Sequence, residues 1–222
     1  MPASDHQTRC RLVLVAPEIE DLAEQARLVG DALAGGDVAS VIVIARDADD
    51  RLAQARVAGI IELAHAREVA VVVAGDTRIA ARAGADGVHL EAPDAETVAE
   101  TVTAHGPRLM VGVDGAKTRH DALELGEARP DYMFFGRFGF DTAPAPHPRN
   151  LALGEWWSQM VAIPCIVQGG ADLESVREVA ASGAEFVALS TAVFGGAASP
   201  GEAVRKANAL LDDLAQEAEG TA

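Results

Sequence analysis

The chain has 222 residues, enough for one sizeable core and within the roughly 200–250 residues of a compact barrel. Its net charge of −16 argues against recognition of nucleic acid or anionic membrane through a general field, so an anionic ligand has to be caught locally by backbone N–H groups, a metal ion or a few arginines. No apolar run reaches the ~18 residues of a membrane span, the first residues lack the apolar stretch of a signal peptide, and Cys10 and Cys165 make no disulfide framework. The expected class is a cytoplasmic, enzyme-like domain. With aromatics at 4%, small aliphatic side chains are expected to fill its core.

Arg11–Ala16 (RLVLVA) reads as a first strand, and Asp21–Ala34 as a helix with Leu22, Ala26, Val29 and Leu33 on one face, stopped by Gly35-Gly36. Val38–Ala45 is a continuous apolar run, as expected of a strand buried on both faces. Arg51–Arg67 is a second helix and Val69–Ala74 a third strand. A short helix over Thr77–Ala83 leads to a strand at Asp86–Leu90, and Asp94 caps a helix that runs to about His105. Leu109–Val113 is the fifth strand, Arg119–Glu127 a helix, and Asp131–Phe135 the sixth strand. A long loop follows, Gly136–Gly154, with Pro144, Pro146 and Pro148. Such a loop inside a compact domain reads as a lid or binding loop. Glu155–Met160 is a short helix, opened by Trp156-Trp157 as packing residues. Pro164–Gln168 is strand seven, Asp172–Ala181 a helix, Glu185–Leu189 strand eight and about Pro200–Ala218 the last helix.

Eight strand–helix units without a domain break predict a single (β/α)₈ TIM barrel over about residues 11–218. A doubly wound sheet would share the alternation, but eight units in this length favour the barrel. The active site of a barrel lies at the C-terminal ends of its strands. Those ends carry Arg46 and Asp47, Gly75 and Asp76, Glu91 and Asp94, Asp114, Gly136 and Arg137, Gly169 and Gly170, and Ser190 and Thr191. Glycines let backbone amides approach an anion, and the loops after strands seven and eight commonly bind phosphate. Gly169, Gly170, Ser190 and Thr191 are therefore the expected phosphate-binding residues, although Gly169-Gly170 also makes a tight turn. Asp76, Asp94, Asp114 and Glu91 place like charges at one mouth, which calls for a cation. Asp76 and Asp94 are the candidate Mg²⁺ ligands, against a plainer reading in which Asp94 caps its helix and Asp114 faces water. His89 reads as a hydrogen-bonded core residue, His120 as a helix-surface residue, and His147 as a loop residue able to reach a ligand.

The segment Gly84–Asp94, GADGVHLEAPD, resembles GADGVHLGQED of thiamine phosphate synthases and the related TenI proteins. The resemblance covers most of the chain. Leu12–Ala16 is similar to the family's LYLVT strand, and Gly35-Gly36 to its glycine pair before strand two. Asp131–Gly136 (DYMFFG) is similar to DYVGVG, Ile163–Gly170 (IPCIVQGG) to IPVVAIGG, and Gly183–Val193 (GAEFVALSTAV) to GADGVAVVSAI. The resemblance implies a transferase of thiamine biosynthesis that joins a pyrimidine diphosphate to a thiazole phosphate, releasing diphosphate, with Mg²⁺. It places Asp76 and Asp94 at the metal and Gly169, Gly170, Ser190 and Thr191 at the thiazole phosphate. A small phosphorylated heterocycle is the expected ligand, and a homodimer is compatible with the family.

The chain departs from the family at several motifs. Gln-x-Arg-x-Lys after strand two is replaced by the run Val41–Asp47, and Asn-Asp-Arg by Gly75-Asp76-Thr77. Asp114 stands for a Ser, adding negative charge where diphosphate should lie. Thr-x-Thr-Lys becomes Phe140-Asp141-Thr142-Ala143-Pro144, without lysine, and Ala116 stands where TenI proteins carry their isomerisation histidine. The catalytic candidates are thus Arg46, Arg137 and Arg149 as substitute cations, with Asp114 beside them. Two readings follow: a divergent synthase, or a paralogue that keeps the phosphate site in a binding or regulatory role. The lost cations lead to an expectation of weak turnover.

Overall fold

The computed structural model describes residues 9–46 and 49–220. Asp47, expected at the mouth, lies outside them. Eight parallel strands close into one barrel in sequence order. They are β1 (Arg11–Val15), β2 (Ser40–Ala45), β3 (Ala70–Gly75), β4 (Gly87–Leu90), β5 (Met110–Val113), β6 (Tyr132–Phe135), β7 (Cys165–Gln168) and β8 (Phe186–Leu189). The ring is completed by β1 against β8, from Arg11↔Phe186 to Leu14↔Leu189. Between the strands lie α1 (Leu22–Leu33), α2 (Asp50–His65), α3 (Thr77–Ala83), α4 (Ala95–His105), α5 (Arg119–Glu127), α6 (Pro148–Met160) and α7 (Ser175–Ala181). A four-residue helix, α8 (Thr191–Phe194), and the terminal α9 (Pro200–Glu219) follow β8.

The period of two sorts each strand between two cores. Leu12, Leu14, Val41, Val43, Val71, Val73, Val111, Val113, Val167 and Val187 point outward against the helices. Val13, Val15, Ile42, Ile44, Val72, Ala74, Ile166 and Ala188 point inward. Aliphatics dominate, as composition implies, but the inner core also takes Tyr132, Phe134 and Phe138. They fill the volume that small inward residues leave. A Cβ on Gly112 would sit 1.9 Å from Cζ of Tyr132, so the Tyr132 ring lies directly on the β5 backbone.

Carboxylates hold the N-terminal rim together. Asp86 accepts the Val71 N–H at 2.7 Å, Asp131 the Val111 N–H at 2.7 Å, and Glu185 the Cys165 N–H at 2.9 Å. Each satisfies a backbone donor at the start of a neighbouring strand. The Asp of the Gly-Ala-Asp segment and the Glu of Gly183-Ala184-Glu185 are therefore structural, at the face opposite the active-site end.

The loop after β6 is shorter than the prolines suggested. It ends at His147, because Pro148 occupies the first turn of α6, where a missing N–H costs nothing. Trp157 accordingly lies in the third turn of a 13-residue helix, fully buried, with its Nε1–H donated to the Ile163 carbonyl at 2.7 Å.

Candidate active site at the barrel mouth

The β2–β5 side of the mouth is organised around two acid–base contacts. Arg46, just past β2, meets Glu91, just past β4, through two hydrogen bonds, one of 2.8 Å from Nε. Glu18 lies 3.6 Å away on the other side. The Glu91 carboxylate, more than Glu18 or Asp114, holds the Arg46 guanidinium above its ordinary range. Arg46 is thus a neutralised cation in this conformation.

Asp114 does not face water; it is 5% exposed. Its Oδ1 accepts the Ala92 N–H at 2.6 Å, and its Oδ2 lies 3.6 Å from Nε2 of His89. Because Ala92 follows Glu91 directly, Asp114 fixes the β4 loop that presents Glu91 to Arg46. His89 is the core residue its position suggested. Its Nδ1 lies 2.9 Å from the Tyr132 hydroxyl, and Phe134 and Phe138 pack on its ring at 5.5 and 5.0 Å. Nε2 is buried without a hydrogen-bond partner. The Nε2–H tautomer turns this proton towards the Asp114 carboxylate and leaves Nδ1 to accept the Tyr132 O–H. Burial, with Asp114 and Asp131 adding to it, pushes the Tyr132 hydroxyl far up, so it stays a donor.

Asp76 and Asp94 both serve as helix caps. Asp76 accepts the Arg78 N–H at 2.7 Å, and its two oxygens also take the Arg78 guanidinium, the shortest contact being 2.6 Å. The Arg78 side chain holds this carboxyl below its usual range. Asp94 accepts the Thr97 N–H at 2.8 Å, and Thr97, by its side chain first and its backbone amide second, holds this carboxyl below its usual range. No cluster of three His, Cys, Asp or Glu side chains among the described residues is placed to hold a metal. In this arrangement the Asp76 carboxylate is engaged by Arg78 and that of Asp94 by Thr97.

The β6–α6 segment covers the other half of the mouth. The Arg137 N–H is donated to Oε1 of Gln168 at 2.6 Å. Phe138, 4% exposed, plugs the inner core above His89 and Phe134. The Arg137 guanidinium stacks 4.0 Å over the exposed Phe140 ring. Beyond Gly139 the segment crosses to β7 and β8. The Asp141 Oδ2 accepts the Thr191 N–H at 2.7 Å, the Ala143 carbonyl accepts the Ala171 N–H at 2.7 Å, and the Pro144 carbonyl accepts the Asp172 N–H at 3.2 Å. Gly170 must be glycine here, since a Cβ would stand 2.0 Å from the Pro144 oxygen. Its own N–H is donated to Oγ of Ser175 at 3.0 Å, and the Gly169 N–H to the Ala188 carbonyl at 2.9 Å.

The ends of β7 and β8 therefore do converge, as strand register requires, with Gln168 opposite Ala188. An apolar cavity of about 390 Å³ lies beside them, with Pro144, Leu173, Ala192 and Ala203 in its wall. His147 caps α6 by accepting the Arg149 N–H at 3.2 Å, instead of reaching across the mouth. Among the described residues the Arg149 guanidinium has one hydrogen-bond partner, Asn150 Oδ1 at 3.5 Å. Neither Arg137 nor Arg149 meets a carboxylate among the described residues.

The family model described as "Thiamine monophosphate synthase" matches residues 12–193, from β1 through α8. The chain belongs to this family. A thiamine-phosphate synthase of Rhodospirillum centenum is 34% identical over 207 residues, covering 92% of this chain and 99% of that protein. One of Hyphomonas neptunium is 32% identical over 213 residues, covering 93% and 96%. Among solved structures, thiamine phosphate pyrophosphorylase from Pyrococcus furiosus superposes with a TM-score of 0.76 at 20% identity, covering 94% of this chain and 98% of that one, which shows the shared barrel.

Within this family member, sequence reasoning missed two residues of the mouth. Phe138 and Asp141 read as members of a lid or binding loop, with no partner assigned to either. Their partners, His89 and Thr191, are some fifty residues distant in opposite directions along the chain, so nothing local marks them. The signal available was chemical: an apolar ring and an acid inside a loop otherwise rich in Pro, Gly and Ala.

Proposed function

We propose that the chain is a thiamine-phosphate synthase, joining a pyrimidine diphosphate to a thiazole phosphate with release of diphosphate. The observation that carries this reading is the family match across residues 12–193, which spans all eight strands and every mouth residue between them. The thiazole phosphate is assigned to the β7–β8 end, at Gly169, Gly170, Ser190 and Thr191. Leaving diphosphate gathers negative charge in the transition state, and preformed cations stabilise it most where water is excluded. Arg137, on the loop after β6, and Arg149, in the first turn of α6, are exposed and have no carboxylate partner among the described residues, so either guanidinium is available to the diphosphate once bound substrate covers the mouth. Arg46 joins them once Glu91 releases it. The deciding experiment is a direct assay of purified protein for thiamine phosphate and released diphosphate, with both substrates and Mg²⁺ present. Stoichiometric formation of the two products supports the assignment; no product above the uncatalysed rate at any substrate concentration overturns it.

A further inference from the structure

Asp141 is 5% exposed, yet no Lys, Arg or His among the described residues pairs with it. A carboxylate buried without a counter-charge is costly and calls for a reason. Its hydrogen bond from the Thr191 N–H, at 2.7 Å, puts a negative oxygen on an amide of the phosphate-binding end assigned above. Resting on that assignment, we propose that Asp141 is an internal competitor for the ligand phosphate: it occupies the Thr191 N–H in the free protein and is displaced when a phosphate ester binds.

The rest of the segment is built to allow the exchange. Phe138 anchors one end inside the barrel and the capped start of α6 at His147 fixes the other. Gly139 stands next to the anchor at φ +78°, a backbone region that glycine enters at little cost, with open space around it. Between these points the tie to β7 and β8 consists of three acceptors: the Asp141 carboxylate and the Ala143 and Pro144 carbonyls. With Asp141 released, the segment is held to the β7 end by the Ala143 and Pro144 carbonyls, and Pro144 is freer to leave the wall of the cavity. Phosphate binding and opening of residues 140–146 thereby become one equilibrium. A dianionic ester with several acceptor oxygens replaces a single carboxylate oxygen, whereas an unphosphorylated alcohol gains nothing comparable.

The test follows the Thr191 amide resonance in the ¹⁵N-labelled full chain during titration with inorganic phosphate. Asp141→Ala is expected to lower the midpoint about tenfold, and Asp141→Asn by a smaller factor, because an amide oxygen remains an acceptor but carries no charge. Asp172→Asn is the control. The Asp172 carboxylate lies on the same rim, accepts the Glu174 N–H and does not touch Thr191, and the substitution leaves in place the backbone N–H that Asp172 donates to Pro144, so its midpoint should stay within about twofold. Equal midpoints in wild type and both Asp141 variants, with the Thr191 resonance still shifting, overturn the competitor and leave the phosphate assignment standing. Tightening by Asp172→Asn as large as that by Asp141→Asn also overturns it, since a general field would then suffice. A Thr191 resonance that phosphate never moves, in any of the proteins, overturns both. If Asp141→Ala fails to fold, Asp141→Asn against Asp172→Asn makes the same decision.

Discussion

Asp114 accepts the Ala92 N–H at 2.6 Å, and Ala92 sits at φ +43°, left-handed backbone that a non-glycine residue adopts at a cost. One carboxylate therefore holds the β4 loop in the shape that sends Glu91 to Arg46. This changes the meaning of the acid that stands where the family carries a serine. Its charge is directed at a backbone amide and at the edge of His89, within the protein, instead of outward over the mouth.

Removing that acceptor should be felt in stability and at Arg46 together. Asp114→Ala is expected to cost about 1–2 kcal/mol, since the exposed Ala92 N–H recovers part of the loss from water. At this size that is a fall in Tm of roughly 2–8 °C. Asp114→Asn keeps an oxygen for Ala92 and should recover most of it. Thermal unfolding of the three proteins checks the order. An unchanged Tm in Asp114→Ala would show that the loop holds its shape without the bond.

Gly112 should tolerate no side chain. The Tyr132 ring occupies the space of its Cβ, so Gly112→Ala has to push Tyr132 off the β5 backbone and break its contact with His89. Overpacking of this kind costs about 1–3 kcal/mol, and the lost hydrogen bond adds about 1 kcal/mol. Denaturant unfolding should show a lower midpoint, and the loss should shrink when Tyr132→Phe is the parent, because the hydrogen bond is then already gone.

Magnesium chloride alone should leave the melting temperature of the ligand-free protein unchanged at low millimolar concentration, because the Arg78 guanidinium engages both oxygens of Asp76. Arg78→Ala frees that carboxylate, and a metal-dependent rise in Tm should then be measurable by scanning calorimetry. Saturable binding to the unaltered protein at micromolar metal would show that Arg78 leaves Asp76 readily.

Burial raises the Cys10 thiol from 9.0 to about 12, and Cys165 is raised further, with Glu185 adding to the effect of burial. Above about pH 9 the unfolded chain therefore releases thiol protons that the folded chain retains. Stability falls with pH across that window, up towards pH 12. Both thiols should resist alkylation at pH 8 in the native protein and react at once in denaturant. Rapid native labelling would contradict the burial of one or both.

The strands were legible because a closed parallel sheet buries both faces, and runs such as Val41-Ile42-Val43-Ile44 have no other use. Asp94 was legible as a cap because a cap is local, decided within three residues. The error at α6 came from reading Pro148 as a loop residue when it opens a helix, and α8, at four residues, is too short to show a helical period. The chemistry of the mouth was the least visible. The orientation of Asp114, the neutralisation of Arg46 by Glu91 and the reach of Asp141 to Thr191 each depend on which strands end side by side. Composition and spacing name the charges at that rim without saying which one neutralises which.

Closure of the ring by β1 and β8 also sets an order of events during synthesis. The first strand leaves the ribosome with one edge soon paired to β2 and the other open until β8 has been made. At roughly 5–20 residues per second that interval lasts on the order of 10–30 s. Through it, the Arg11–Val15 edge offers unpaired amides and carbonyls beside an apolar run, the kind of template to which another nascent chain can add a strand. Expression yield should therefore respond to the speed of translation through the codons from β6 to β8 and to chaperone supply, even in variants whose finished fold is as stable as the parent.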